Sequence, residues 1–441
     1  MRKWPEVKRE LRIFAIIAGV FLVAYLIPLS SETVRSAIME AFHMLQEYAR
    51  EHVLLCLVPA FFIAGAIAVF ISQASVIKYL GGKAKKSVAY GIGAVSGAIL
   101  AVCSCTVLPL FAGIYKRGAG LGPAIAFLYS GPAINILAIL LTGRILGLQF
   151  GLARAIGAVV FAIVIGLAMQ FLFRKEEAEK QEAAMATPVP EDGKSIWKTA
   201  IPVALMILVL VFANWGKPGD LSIETTTGET IVATRAGETA DEVLVKLPGS
   251  GDLTGVPKSE VESLRYAPSP YTSIYQSRFY IAGAFLLLLI ILMSLWYNKD
   301  ELKAWGGSTW SYAKLILPYL FAGVLIAGFF LGRPGHTALI PPEWIASAVG
   351  GNSWLSNFAA SLAGALMYFA TLTELPILQG LLGSGMGDGP ALALLLAGPA
   401  LSLPNMLVIR KILGTKKTLA YIALVVIAAT LTGRIFGIIV G

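Results

Sequence analysis

Two short stretches of this 441-residue chain set reactive or ionisable side chains inside otherwise apolar sequence. The first is Cys103-Ser104-Cys105-Thr106, followed by Pro109. Thiolate sulfur is a soft ligand that suits thiophilic species better than hard ions. Two cysteines two apart can share one such centre if the backbone there is not helical. Cysteine is equally a small apolar packing residue, and the pair alone does not separate the two roles. The second stretch is Thr371-Leu372-Thr373-Glu374-Leu375-Pro376, in which Glu374 is the one acid deep in an apolar run. A lone carboxylate in hydrocarbon is costly unless it is paired, hydrated or protonated. Glu374 is therefore a candidate proton carrier, with helix capping as the structural alternative.

Each stretch is followed by a proline-broken apolar segment. Ser130-Gly131-Pro132-Ala133-Ile134-Asn135 answers Ala397-Gly398-Pro399-Ala400-Leu401-Ser402-Leu403-Pro404-Asn405. Proline frees a backbone carbonyl and glycine permits close approach. Asn135 and Asn405 add amides that can contact a substrate or join helices. Cys56 and Tyr129 read as packing residues. His43, His52 and His336 lie in or near connections and form no metal-ligand spacing. There is no Ser/His/Asp set, no HExxH and no P-loop, so neither an enzyme nor direct drive by ATP is expected.

The elements that must hold these residues are membrane helices. Hydrophobic residues make up 57% of the chain and charged residues 14%, and the mean hydropathy is +0.75. A soluble core cannot absorb that apolar content, so the chain is expected to cross a membrane many times. The formal charge of +9 then reflects basic cytoplasmic loops and not a nucleic-acid partner. Spanning segments are expected at about 13–29, 54–71, 121–142, 152–173, 199–214, 279–297, 312–332, 390–409 and 418–440. The run at 13–29 follows Arg2, Lys3, Lys8, Arg9 and Arg12 and is expected to stay as an anchor, since no small-residue cleavage site follows.

Two apolar stretches, 88–115 and 354–382, are too long for one helix and are broken at the two reactive motifs. If each enters and returns on the same side, 23 Lys and Arg fall on the side of the N-terminus and six on the other: Arg35, Arg50, Arg144, Arg154, Arg333 and Arg434. If each crosses once, the bias disappears. The positive-inside rule thus favours two re-entrant hairpins and a cytoplasmic N-terminus. Irregular backbone at membrane depth survives only where protein or an aqueous cavity surrounds it.

The expected organisation is 1–53 as anchor and external connection, 54–173 as a first membrane repeat, and 174–198 as a charged cytoplasmic linker. A helix pair at 199–297 with an external β insert at 216–278 comes next, and 312–441 forms a second repeat. The repeat shows at an offset of 267, where Pro109/Pro376, Gly113/Gly380, Gly118/Gly385, Gly122-Pro123/Gly389-Pro390 and Gly131-Pro132/Gly398-Pro399 coincide. The expected class is an all-α polytopic membrane protein with two inverted repeats, about nine full spans and two hairpins. That architecture belongs to secondary transporters.

The stretch AVCSCTVLPLFAGIYKRGAGLGPAIAFLYSGPAINI (101–136) and its echo TLTELPILQGLLGSGMGDGPALALLLAGPALSLPN (371–405) resemble the YraQ/ArsP-type predicted permeases. For ArsP members the resemblance implies efflux of trivalent organoarsenicals such as methylarsenite across the inner membrane of a bacterial or archaeal cell. Carried over by residue, the family's cysteine motif falls on Cys103 and Cys105, its acidic motif on Thr373, Glu374 and Pro376, and its second-helix motif on Gly131, Pro132 and Asn135. Together with Ser104, Thr106, Pro399 and Asn405 these are the expected substrate-binding residues, and the buried position of Glu374 makes it the expected proton-coupling group. No cofactor is implied. The expected partners are the solute and the bilayer, with oligomeric state open. Export of another soft or hydrophobic solute, a channel and an intramembrane thiol oxidoreductase remain the alternatives.

Overall fold

The computed structural model describes residues 10–440 except 12–13, 15–16, 20, 23–24, 71–72, 82–83, 100–103, 134–137, 140–141, 144–145, 187–195, 217, 219, 227–229, 239–241, 247–252, 334–337, 341–343, 345–346, 368–373 and 384. It is mostly helical. Among the described residues five helices are long and apolar enough to cross a membrane: Val53–Phe70, Leu148–Leu172, Pro270–Trp296, Lys299–Leu331 and Thr415–Ile439. Asp388–Leu401 and Leu403–Leu413 make a sixth if they count as one span bent by 47°. Hydropathy had merged these two into one run at 390–409. The break falls at Ser402, with φ of 29° and Pro404 just beyond, because proline cannot continue the helix that precedes it. Trp197–Ala213 is apolar but shorter than a full span.

The first half starts with α1 (Glu32–Tyr48), a π-helical stretch (Ala49–Leu57), α2 (Val58–Phe70) and α3 (Gln73–Leu80). Then come α4 (Lys86–Ile99), α5 (Ser104–Lys116), α6 (Leu121–Ala133) and α7 (Leu148–Leu172). The polar helix α8 (Arg174–Ala186) and the apolar α9 (Ile196–Ala213) lead to five strands: β1 (Asp220–Thr225), β2 (Thr230–Glu238), β3 (Glu242–Lys246), β4 (Leu253–Pro257) and β5 (Val261–Tyr266). The strands form one antiparallel sheet in the order β4-β3-β2-β1-β5, around Leu221, Ile223, Ala233, Val245 and Val256. The long helices α10 (Pro270–Trp296) and α11 (Lys299–Leu331) follow. Ser269 caps the first and an Asn298/Glu301 capping box opens the second. The second half has α12 (Trp354–Leu366), α13 (Glu374–Gly383), α14 (Asp388–Leu401), α15 (Leu403–Leu413) and α16 (Thr415–Ile439).

The sequence offset of 267 recurs in the elements. Shifting α6 and α7 by that amount lands on the first residues of α14 and α16. Gly118 and Gly385 share a φ of 95°, and Gly147 and Gly414, at 105° and 85°, precede α7 and α16. Packing repeats too, with α4 on α6 and α6 on α7, as α12 on α14 and α14 on α16. At each of the latter crossings two glycines face one another. A methyl at Gly166 would lie 2.6 Å from the Gly122 carbonyl, and one at Gly433 would lie 2.5 Å from that of Gly389. Small residues are what let helix backbones approach this closely in lipid.

Both broken stretches return to where they started. Gly120 N–H donates to Leu80 O at 2.7 Å, joining the chain before α4 to the chain after α5. Gly387 N–H donates to Val349 O at 3.3 Å, and Gly350 bridges Met386, joining the approach to α12 with the exit from α13. The two hairpin bases lie at opposite ends of α16. Tyr115 shares Glu177 with Lys417 at its start, whereas Asn352 donates to the Arg434 carbonyl near its end. A 25-residue helix is about 37 Å long, close to a bilayer's thickness.

The glycine crossings give a stability test. Gly166→Val or Gly433→Val is expected to force the helices apart, lowering the thermal midpoint of the detergent-purified protein by the equivalent of roughly 1–3 kcal/mol. Gly91→Val, where the added group meets open space, is the control that should leave the midpoint unchanged.

Candidate functional site

The described residues place Glu374 against a partner that the sequence pattern had set elsewhere. Arg154 Nη1 lies 2.6 Å from Glu374 Oε1, and the two side chains are 0% and 1% exposed. Arg154 had been counted among six charges in external connections. Seven residues into α7, it instead points into the protein, where Nη1 donates to Thr142 Oγ1 at 3.0 Å and Nε to the Ala133 carbonyl at 3.4 Å. Thr142 in turn donates to Ala138 O at 2.6 Å. Glu374 opens α13, where unpaired backbone N–H groups favour a negative charge. Each ion is therefore held by its own helix and by the other. Oε1 meets the guanidinium at ion-pair distance, and Arg154 Nη2 has no hydrogen-bond partner among the described residues.

The pair is an exception to the repeat. At the offset of 267, Arg154 corresponds to Tyr421 and Glu374 to Val107. Tyr421 Oη donates to the Ala400 carbonyl at 3.4 Å, the counterpart of the Arg154–Ala133 contact. Tyr129 donates to Leu396 O at 3.4 Å, a link between two positions that are themselves 267 apart. One scaffold is thus used twice, and ionised groups occupy only one of its two versions. An arginine seven residues inside an apolar helix, with a tyrosine at the repeat position, was the sequence signal for this residue.

The other motif residues distribute as follows. Cys103, Asn135 and Thr373 lie outside the described residues. Ser104 and Cys105 begin α5, and Pro109 sits within it. Thr106 is fully buried, with its Oγ1 2.6 Å from the Sγ of Cys56. Cys56 belongs to the π-helical stretch, whose Leu55 carbonyl accepts a hydrogen bond from Asn214 at 2.7 Å. Gly131 and Pro132 are buried in α6 and Pro399 in α14. Asn405 is buried in α15 and corresponds at the repeat offset to Ala138, while Ser402 corresponds to Asn135. No hydrogen bond among the described residues joins Asn405 to the ion pair. No group of three His, Cys, Asp or Glu that could hold a metal occurs among them either. A separate apolar cavity of about 650 Å³ lies between α2, α9, α10 and α11, lined by Phe62, Met206, Leu289, Met293 and Trp305 among others.

A multi-helix membrane protein with a fully buried ion pair between its two halves has the features of a permease. The profile of the ArsP_1 predicted permeases matches residues 37–438, and the chain belongs to that family. It is 40% identical over 395 residues to the UPF0718 protein MJ0584 of Methanocaldococcus jannaschii, covering 89% of this chain and 94% of the relative. It is 32% identical over 129 residues to the UPF0718 protein YraQ of Escherichia coli K12, covering 29% of this chain and 35% of that one. No solved structure matches. The family supports a transporter rather than an enzyme.

Removing one member of the buried pair leaves the other charge uncompensated, which costs about 3–5 kcal/mol, whereas replacing both by apolar groups is often neutral. Arg154→Met and Glu374→Met are each expected to lower the thermal midpoint strongly, and the double variant to recover most of the loss. A double variant as unstable as the sum of the two singles would show that the residues do not act as a pair.

Proposed function

We propose that the chain is a proton-coupled secondary permease of the cytoplasmic membrane, built from two inverted repeats with about nine spans and two re-entrant hairpins. The observation that carries it is the Arg154–Glu374 ion pair, which joins α7 of the first half to the hairpin helix α13 of the second. A proton arriving on Glu374 cancels the attraction that ties the halves together and leaves Arg154 uncompensated. Protonation and relative movement of the halves are thereby linked through one bond. Structural pairings support the membrane sidedness. Arg333 and Glu40 lie on the same side only if the first broken stretch is a hairpin, and Glu177 and Lys417 only if the second is. The Glu177–Lys417 pair falls on the cytoplasmic side with the N-terminus.

Cys103 and Cys105 make the substrate soft and thiophilic, with methylarsenite as the specific proposal and the direction outward. Both rest on the resemblance to ArsP-type permeases. Ser104, Thr106, Gly131, Pro132, Asn135, Thr373, Pro399 and Asn405 border the same site. The methyl group of methylarsenite suits an apolar surround, and its arsenic suits sulfur. Arg154 Nη2 is a donor for an arsenic-bound oxygen.

Uptake of methylarsenite into everted vesicles tests this directly. Accumulation should require an imposed proton gradient, fall to the level of vesicles lacking the protein in Cys103→Ser/Cys105→Ser, and lose its response to the gradient in Glu374→Gln. Gradient-dependent accumulation unchanged by Glu374→Gln would remove the coupling role. No accumulation by the wild type would remove the arsenical.

A further inference from the structure

We infer that α8 is a strap that holds the cytoplasmic end of the permease closed, and that opening toward the cytoplasm requires release of Glu177 from Lys417 and Tyr115. The inference rests on the permease reading above, but not on its substrate. Helix α8 is thirteen residues of strongly polar sequence, RKEEAEKQEAAMA, following directly on the span α7. Such a helix is marginal on its own in water, so tertiary contacts must hold it.

Those contacts gather on one carboxylate. Glu177 is 5% exposed, and its Oε1 accepts from Tyr115 Oη at 2.8 Å and from Lys417 Nζ at 2.6 Å. Lys417 also lies 3.5 Å from Glu176 Oε2 and 5.7 Å from the Phe173 ring centre. One turn further along α8, Lys180 sits 3.0 Å from the centre of the Tyr115 ring and donates to the Tyr115 carbonyl at 3.4 Å. Tyr115 ends the returning helix of the first hairpin, and Lys417 begins the last helix of the second half. A single side chain on the linker thus clamps the two halves to one another at one end of the molecule.

The repeat shows that this clamp is an addition to one side. The position 267 before Lys417 is Phe150, which packs edge-on against Phe436 with centroids 4.8 Å apart. At matched positions of α7 and α16, therefore, one end carries an apolar ring contact and the other a lysine in a charge-assisted clasp. Breaking the clasp lets water replace its hydrogen bonds, a smaller loss than opening a dry core. It suits a contact that must open and close repeatedly. Any movement of the first hairpin relative to α16 must change it, because Tyr115 and Lys417 share the same carboxylate oxygen.

The test is hydrogen–deuterium exchange on the full chain in lipid nanodiscs, comparing wild type with Glu177→Gln and with the milder Tyr115→Phe. Release of the strap should speed exchange about tenfold in peptides covering 113–121 and 411–418 in Glu177→Gln, and less in Tyr115→Phe. It should also slow exchange at the opposite end, in peptides covering 346–353 and 383–389, because closing one side accompanies opening the other. Faster exchange confined to the α8 end would mean that the strap only braces α8, and the inference falls while the permease stands. Unchanged exchange at both ends overturns it equally. No substrate is needed, so a wrong solute in the vesicle assay leaves this result readable.

Discussion

A charge fully removed from water must be matched nearby, and the rest of the centre is arranged around that requirement. The Arg154 guanidinium has no exposed surface, and among the described residues only Glu374 supplies a full opposite charge in contact with it. Meeting at 2.6 Å fixes the rotation of α7, since Arg154 must face inward, and the height of α13, since Glu374 must sit in its first turn. The Ala133 carbonyl and Thr142 take up further guanidinium donors and tie the preceding broken segment to the same point. Such a pair is a poor source of net stability, because desolvation cancels most of its attraction. What it fixes is which helices stay together, α7 and α13.

The glycine crossings and hairpins answer a second demand, that no backbone polar group be left exposed to hydrocarbon. Gly122 and Gly389 bring α6 and α14 into near contact with α7 and α16, so that the inner helices are sheathed along their length. Every residue of α6 is buried, and so is α14 from Gly389 onward. Within that sheath a broken helix such as α14–α15 can exist, with Ser402 at a φ of 29° and its hydroxyl buried. Strain of this kind persists only where the surroundings over-determine it.

Composition and spacing went far toward the architecture because membrane segments obey few rules. Long apolar runs, the positive-inside bias and glycine–proline pairs at a fixed offset are each visible one residue at a time. The offset of 267 reappears in the starts of α6/α14 and α7/α16 and in glycines of matching φ. What stayed hidden was tertiary. Arg154 lies close enough to a predicted span end to pass for a loop charge, and only the start of α7 at Leu148 shows that it is inside. Glu374 was visible as an intramembrane acid, but a partner 220 residues away leaves no local mark. Cys56 reads as packing until the π-helical stretch carries its sulfur to Thr106.

The ionised chemistry occupies one of two sets of matched positions. At positions 267 apart, arginine stands against tyrosine at 154/421 and glutamate against valine at 374/107. Tyr421 shows that the scaffold does not need the charge, since its hydroxyl reaches the Ala400 carbonyl much as Arg154 reaches that of Ala133. Matched contacts carry the helices, and the ion pair sits where the match between positions 267 apart is broken.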